Sequence, residues 1–137
     1  MLRQYISSGS PGETITGYSR AGRAGQVIFV SATAATAQDG RVRYPGDAYQ
    51  QTRALLAHIE AALRKAGSSL NAIVQTRLYL RDITRWKEAG CAHGEIFLKI
   101  RPATSMVEVS RFLDPNMLVE IEAIAVLSEP AGEDNRC

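Results

Sequence analysis

The sequence has little cysteine and no long apolar run. Its two cysteines, Cys91 and Cys137, form neither a CxxC pair nor the ligand spacing of a zinc site. We therefore expect free thiols in a reducing compartment, and no metal centre. The N-terminal segment has no apolar core like that of a secretion signal, and no apolar run approaches the length of a bilayer span. These absences predict a cytoplasmic protein without a membrane partner.

An excess of charge of one sign is also missing. The chain has 137 residues, and its 16 basic and 14 acidic residues leave a net charge of +2. No basic stripe stands out, so a nucleic-acid partner is not expected. No glycine-rich phosphate loop or Ser-His-Asp constellation stands out either, and we expect no cofactor. The length predicts one domain over residues 1–127, followed by a polar tail over residues 128–137 that we expect to be disordered.

The apolar patterns predict eight elements in the order β-β-β-α-β-α-β-β. A weak edge strand over residues 2–7 comes first, and a hairpin covers residues 18–33. Helices are expected over residues 47–66 and from Asp82 or Thr84 to about residue 100, with a strand within residues 70–80 between them. This order indicates an α+β fold in which two helices cover one face of a mixed sheet. The bare face is partly apolar and is a candidate oligomer interface.

The chain is organised around residues 101–126, which read as two strands joined by a turn at Asp114-Pro115-Asn116. We expect these strands to pair as a hairpin. Alternation places small apolar side chains on the face beneath the helices. They are Ser105, Val107 and Val109 in the first strand and Val119, Ile121, Ala123 and Ala125 in the second. The opposite face carries Glu120 and Glu122 among apolar groups, which predicts burial only against another subunit or a ligand.

Three stretches together resemble the Rid family, also called YjgF. They are GYSRAGRAGQVIFVSATAA, DAYQQTRALLAHIEAALRKAG and the pair RPATSMVEVSRF and MLVEIEAIAV. The resemblance covers residues 17–126, and its most specific part is P-A-x-S-x-V-E-V followed by V-E-I-E-A-I-A. It implies a chorismate-mutase-like α+β fold and a homotrimer with three ligand clefts between subunits. It also implies hydrolysis of enamines and imines such as 2-aminoacrylate to keto acids and ammonia, without a metal or cofactor.

The resemblance also assigns site residues. Glu120 matches the family's water-positioning Glu, Tyr18 matches a Tyr at the cleft mouth, and Ser31 matches a Ser of the cleft. Thr104 stands where the family has an Arg that binds the substrate carboxylate in a bidentate fork. The hydroxyl of Thr104 is expected to line the pocket without supplying that charge.

Arg20 is a candidate for the missing cation. Its spacing of two from Tyr18 puts both side chains on one strand face. The alternative is an exposed or intersubunit salt-bridging Arg. For Glu120 the alternative is a solvated or ion-paired strand residue, and His58 and His93 are interpreted as packing or surface residues because neither has a ligand partner nearby.

Two functions remain open. The first is a small-molecule-binding homotrimer that hydrolyses an imine, an enamine or a related metabolite, with Glu120 orienting water. The second is a non-catalytic ligand-binding or regulatory trimer that uses the same cleft. RNA cleavage is attached to some family names, but the near-neutral charge argues against it here.

Overall fold

The computed structural model describes residues 1–128, so nearly all of the tail predicted over residues 128–137 lies outside the described residues. Residues 1–128 form six strands, three α-helices and two short 3₁₀ turns, the latter at Leu70–Ala72 and Ile83–Arg85. In chain order the strands and α-helices are β1 (Arg3–Ile6), α1 (Pro11–Thr16), β2 (Ala21–Ala24), β3 (Val27–Thr33), α2 (Ala48–Lys65), β4 (Ile73–Leu80), α3 (Trp86–Phe97), β5 (Ala103–Glu108) and β6 (Val119–Val126).

All six strands form one mixed sheet in the order β1-β2-β3-β6-β4-β5. The β4–β5 pair is parallel and the other pairs are antiparallel. Helix α2 packs on β3 and β6, and α3 packs along α2. The predicted α+β class, with the two long helices on one face of a mixed sheet, is confirmed.

The core lies between the helices and this face of the sheet. In β6, Val119, Ile121, Ala123 and Ala125 are all buried, as their alternation predicts. Their partners from α2 are Leu55, Leu56, Ile59 and Leu63, which are fully buried. Helical spacing therefore places one apolar stripe of α2 on one apolar face of the sheet.

The opposite face of the sheet is bare in the single chain. Phe29 is 52% exposed and Val126 is 40% exposed, and both belong to this face. Glu122, also on it, accepts hydrogen bonds from Tyr79 and Arg77 of β4. The face therefore combines exposed apolar side chains with a satisfied polar cluster.

The hairpin predicted for residues 101–126 is wrong. Strand β5 pairs only with β4, in parallel, whereas β6 is inserted between β3 and β4. The reason is that α3 forms the crossover of a β-α-β unit, which returns β5 parallel to β4. Strand β6, which is apolar on its helix-facing side, takes the central position and leaves β5 at the edge.

The expected orientation of β5 is also wrong. Thr104 lies opposite the buried Thr76, and Met106 lies opposite the buried Leu78 and packs against the core. Val107 is exposed on the bare face instead of lying beneath the helices. An edge strand buries little on either side, so alternation alone leaves its orientation undecided.

Helix α1 was not among the eight elements predicted from the apolar patterns. Ser10 is its N-cap, Pro11 occupies the first turn, and the Glu13 carboxylate accepts a hydrogen bond from the Ser10 N–H at 3.2 Å. This Ser-Pro-Gly-Glu pattern is a capping box with proline at the start, which is a sequence signal for a helix. No helix within residues 1–128 is long and apolar enough to cross a membrane.

The connection into β6 is held by one fully buried glutamine. Gln51 of α2 donates from Nε2 to the carbonyl oxygens of Tyr44 and Asn116, at 3.1 and 2.9 Å. Its Oε1 accepts from the Leu118 N–H at 2.9 Å. The Asn116 carbonyl and the Leu118 N–H therefore depend on this side chain for their hydrogen bonds, whereas the Tyr44 carbonyl also accepts from the Asp47 N–H at 3.0 Å.

Replacing this side chain tests that role. Gln51→Leu keeps the approximate volume but leaves the Asn116 carbonyl and the Leu118 N–H without a partner, so we expect a loss of about 2 kcal/mol or more in the free energy of unfolding. Urea denaturation measures it. Gln50→Leu, at the exposed neighbouring position, is the control and should stay within about 0.5 kcal/mol of the parent. Equal effects of the two substitutions would contradict the assigned role.

Candidate functional site

A cavity of about 400 Å³ opens at one end of the sheet. Its walls come from α1 and the segment after it, the end of β3 and the loop that follows, α2, and the connection into β6. Its lining residues include Tyr18, Arg20, Thr33, His58, Met117 and Glu120. Three of the residues predicted for the site, Tyr18, Arg20 and Glu120, therefore lie in one cavity.

Arg20 is buried, with only 7% of its surface exposed. Its Nη1 donates to the Ala32 carbonyl at 2.9 Å and to Thr33 Oγ1 at 3.0 Å, and its Nη2 donates to the Tyr18 hydroxyl at 3.1 Å. None of these partners is a carboxylate. Because a guanidinium stays charged at any physiological pH, the cavity wall holds a permanent positive charge that no carboxylate of residues 1–128 neutralises by direct contact.

Glu120 is the second residue of β6 and lies opposite Tyr79 of β4 on the bare face of the sheet. Burial raises the pKa of its carboxyl above the ordinary value, and the positive charge of Arg20 partly opposes that rise. Among residues 1–128, no ion pair joins the two side chains. The cavity thus holds a cation and a carboxyl group that influence each other without forming an ion pair.

Tyr18 stands at the mouth of the cavity and is 38% exposed. Its ring centroid lies 5.3 Å from the guanidinium carbon of Arg20. The close approach of Tyr18 to α1 depends on Gly12, since a Cβ at that position would lie 3.1 Å from the Tyr18 hydroxyl. The hydroxyl accepts from Arg20, and its own hydrogen remains able to bind a ligand acceptor.

Ser31 does not line the cavity but hydrogen-bonds to the backbone of the segment that carries Tyr18 and Arg20. Its hydroxyl donates to the Ser19 carbonyl at 2.8 Å, and its N–H donates to the Arg20 carbonyl at 2.9 Å. The residues that follow it, Ala32 and Thr33, reach the cavity wall, whereas Ser31 does not. Its contacts therefore fix the segment that carries Tyr18 and Arg20.

Thr104 lies elsewhere in the chain. It lines a second cavity of about 410 Å³ beside α3, together with His93, Phe97, Arg101 and Pro102. Thr104 pairs with Thr76 of β4, and Glu120 pairs with Tyr79 of the same strand. Because Thr76 and Tyr79 are three residues apart, their side chains, and those of their partners, lie on opposite faces of the sheet. A single chain does not bring these two predicted site residues together.

Both histidines have contacts that the sequence did not indicate. His58 lines the cavity of Glu120, and its Nε2 lies 2.9 Å from the Thr36 carbonyl oxygen, so this nitrogen carries a hydrogen. His93 lies in the second cavity, where burial lowers its pKa. Neither position could be found from spacing, because each is a lone histidine on a helix. Within residues 1–128, no group of three His, Cys, Asp or Glu side chains is placed to hold a metal ion.

Comparison with known proteins identifies the family to which a chain with this sheet and this cavity belongs. The family model described as Endoribonuclease L-PSP matches residues 9–127, and the chain belongs to this family, the Rid or YjgF family of the sequence resemblance. The chorismate-mutase-like fold that the resemblance implies is therefore confirmed.

Three relatives match most of the chain, at 32% to 45% sequence identity. The crystal structure of a Mycobacterium tuberculosis member of the YjgF/YER057c/UK114 family is 45% identical, with a TM-score of 0.82, and covers 92% of this chain and all of its own. A RutC family protein of Pyrococcus abyssi is 34% identical over 91% of this chain and 98% of its own length. A protein of Acinetobacter baylyi named 3-aminoacrylate deaminase RutC is 32% identical over 79% of this chain and 85% of its own.

The influence of Arg20 on Glu120 can be measured directly. Because the Arg20 charge lowers the pKa of Glu120 against the effect of burial, Arg20→Gln should raise that pKa further. Carboxyl carbon NMR of the Glu120 side chain across a pH titration gives the value. Arg41→Gln removes an exposed charge that does not line the cavity and should leave it unchanged. An unchanged or lowered pKa in Arg20→Gln would show that the two groups do not share a site.

Proposed function

We propose that the chain forms a homotrimer that binds small carboxylate-bearing imines or enamines and hydrolyses them to a carbonyl compound and ammonia. The observation that carries this proposal is the placement of Arg20 and Glu120 in one cavity without an ion pair between them. An anionic substrate end can pair with the guanidinium while the reacting carbon lies toward Glu120. Arg20 then supplies the charge that Thr104 lacks.

In the proposed reaction, Glu120 in its ionised form accepts a proton from a water molecule as the water oxygen attacks the imine carbon. The electron pair of the C=N bond moves to nitrogen, which takes that proton from Glu120. In the resulting carbinolamine the hydroxyl proton passes through Glu120 to the amino nitrogen, so that the C=O bond forms as the C–N bond breaks and ammonia leaves. A carboxyl group whose pKa is raised by burial suits this exchange, because it accepts and returns a proton at similar free energy.

The other predicted site residues take supporting roles in this proposal. Tyr18, at the cavity mouth, offers its hydroxyl hydrogen to a substrate acceptor. Ser31 holds the Tyr18–Arg20 segment in place through its two hydrogen bonds. Thr104 enters the cleft from a neighbouring subunit, since within one chain it lies on the other face of the sheet from Glu120.

The comparisons support the substrate class. The Acinetobacter baylyi relative is named for deaminating 3-aminoacrylate, a molecule with an enamine nitrogen and a carboxylate. These are the two groups that the pair of Glu120 and Arg20 can recognise. The substitution of Thr104 for the expected Arg favours the second candidate, a non-catalytic trimer that holds such ligands without turning them over.

An activity assay distinguishes the two candidates. With 2-aminoacrylate or 3-aminoacrylate generated in situ, the proposed enzyme releases ammonia faster than buffer does. Glu120→Gln should lower kcat by about 100-fold or more. Arg20→Gln should raise KM by about tenfold or more, because a charge-assisted hydrogen bond is lost, and Arg20→Lys should lose less. Arg41→Gln is the control. Binding of the matching keto acids without any acceleration would instead favour the non-catalytic trimer.

The proposed trimer follows from the bare face of the sheet. Its apolar part includes Phe29, Val107, Ile124 and Val126, and the family resemblance implies that the sheets of three subunits face inward. A homotrimer would bury these side chains and bring the second cavity of one chain near a neighbour. Such an exposed apolar surface is typical of a subunit interface.

Phe29→Glu tests this interface. A charge at the centre of a buried subunit contact is costly, so the assembly should dissociate, and light scattering after gel filtration should report a mass falling from three chains toward one. Ala57→Glu, on the exposed side of α2, adds the same charge and should leave the mass unchanged. A parent protein with the mass of a single chain would exclude the trimer.

A further inference from the structure

The second cavity contains a continuous chain of side-chain hydrogen bonds. His93 Nε2 lies 2.9 Å from Thr76 Oγ1, which lies 2.8 Å from Thr104 Oγ1, which lies 3.1 Å from the Pro102 carbonyl oxygen. Thr76 is fully buried, whereas Thr104 is exposed in the cavity. The chain thus connects a helix residue, through the interior, to a hydroxyl that a ligand can reach.

The hydrogens of this chain can be assigned for each form of His93. If Nε2 has no hydrogen, it must accept the hydroxyl hydrogen of Thr76, and the short contact between the two threonines then requires the hydrogen of Thr104. If Nε2 carries a hydrogen, it donates to Thr76. Thr76 can then donate to Thr104, whose own hydrogen points to the Pro102 carbonyl. In both arrangements the hydroxyl hydrogen of Thr104 is already used inside the protein.

We propose that Thr104 presents only a lone pair to a ligand, so that the second cavity binds a hydrogen-bond donor such as the N–H of an amide, enamine or imine. His93 is a positioning residue in this proposal, because it orients the Thr104 hydroxyl through Thr76. An arginine at the same position would have the opposite hydrogen-bonding character, because its side chain has donors and no acceptor. A carboxylate could bind Thr104 only if an internal hydrogen bond were broken.

This inference rests on the proposed function for the identity of the ligand and sharpens it. The carboxylate of the substrate would lie at Arg20, and its nitrogen end would reach Thr104 across the cleft between subunits. Arg101 also lines the second cavity, at an exposed position, and is the one competing anion-binding group among the described residues of that cavity. Its contribution therefore has to be measured separately.

Pyruvamide and pyruvate are matched probes of the second cavity, because pyruvamide can place its N–H donors at Thr104, whereas pyruvate has no N–H and its carboxylate is expected to lie at Arg20. Calorimetric titration of the full chain should show pyruvamide binding that weakens roughly three- to tenfold in Thr104→Val, the loss of one hydrogen bond. Pyruvate binding should stay within about twofold. Thr104→Ser keeps the hydroxyl and should behave as the parent. Thr104→Arg should reverse the preference in favour of pyruvate.

The role of His93 has its own readout, which is the ratio of the two affinities. His93→Phe keeps an aromatic ring next to Phe97, whose centroid lies 4.5 Å from that of His93, but removes the partner of Thr76, so the ratio should fall toward that of Thr104→Val. His93→Gln restores a polar atom at similar reach and should restore the ratio. A loss of packing alone would not be repaired by Gln.

The proposal is overturned if pyruvamide does not bind, if Thr104→Val weakens pyruvate as much as pyruvamide, or if it changes neither. It is also overturned if only Arg101→Gln alters the binding of both probes. These measurements use unreactive ligands, so they are independent of turnover. A protein that binds pyruvamide through Thr104 but does not release ammonia would retain this inference and lose the proposed hydrolysis.

Discussion

The central position of β6 is the constraint on which the rest of the structure depends. Its buried side carries Val119, Ile121, Ala123 and Ala125 beneath α2, and both of its edges are hydrogen-bonded, to β3 and to β4. A strand fixed on three sides has one register available, because a slip by one residue would turn the apolar set away from the helices. This register sets the position of Glu120 at the start of the strand, and Gln51 holds the connection that leads into it.

A buried arginine organises the cavity around Glu120. Burying a guanidinium is unfavourable unless its donors are satisfied, and here the Ala32 carbonyl, Thr33 and Tyr18 satisfy three of them without neutralising the charge. The positive charge then acts on Glu120, whose own burial favours the neutral acid. The cavity therefore combines a fixed cation with a titratable carboxyl group, which is the pair of groups on which the proposed hydrolysis of an anionic imine rests.

Much of the fold could be predicted from the chain. Helix α2 follows from apolar spacing and from Asp47, whose side chain caps it by accepting from the Gln50 N–H. The mixed sheet with helices on one face follows from the order of the elements. The pairing of β5 could not be predicted, because two consecutive strand patterns suit a hairpin as well as a crossover. Helix α1 was missed although Ser10 and Glu13 encode it, since six residues are too few for an apolar period.

The sequence by itself determined the family, the apolar faces of β6 and α2, and the presence of Glu120, Tyr18 and Arg20 as candidates. These follow from local order and spacing, which a chain carries without folding. Only the tertiary structure decided which groups share a cavity. It placed His58 in the same cavity as Glu120, joined His93 to Thr104 through Thr76, and put Thr104 and Glu120 on opposite faces of the sheet. The physical reason is that strand order and side-chain parity at a sheet edge depend on contacts between residues far apart in the chain.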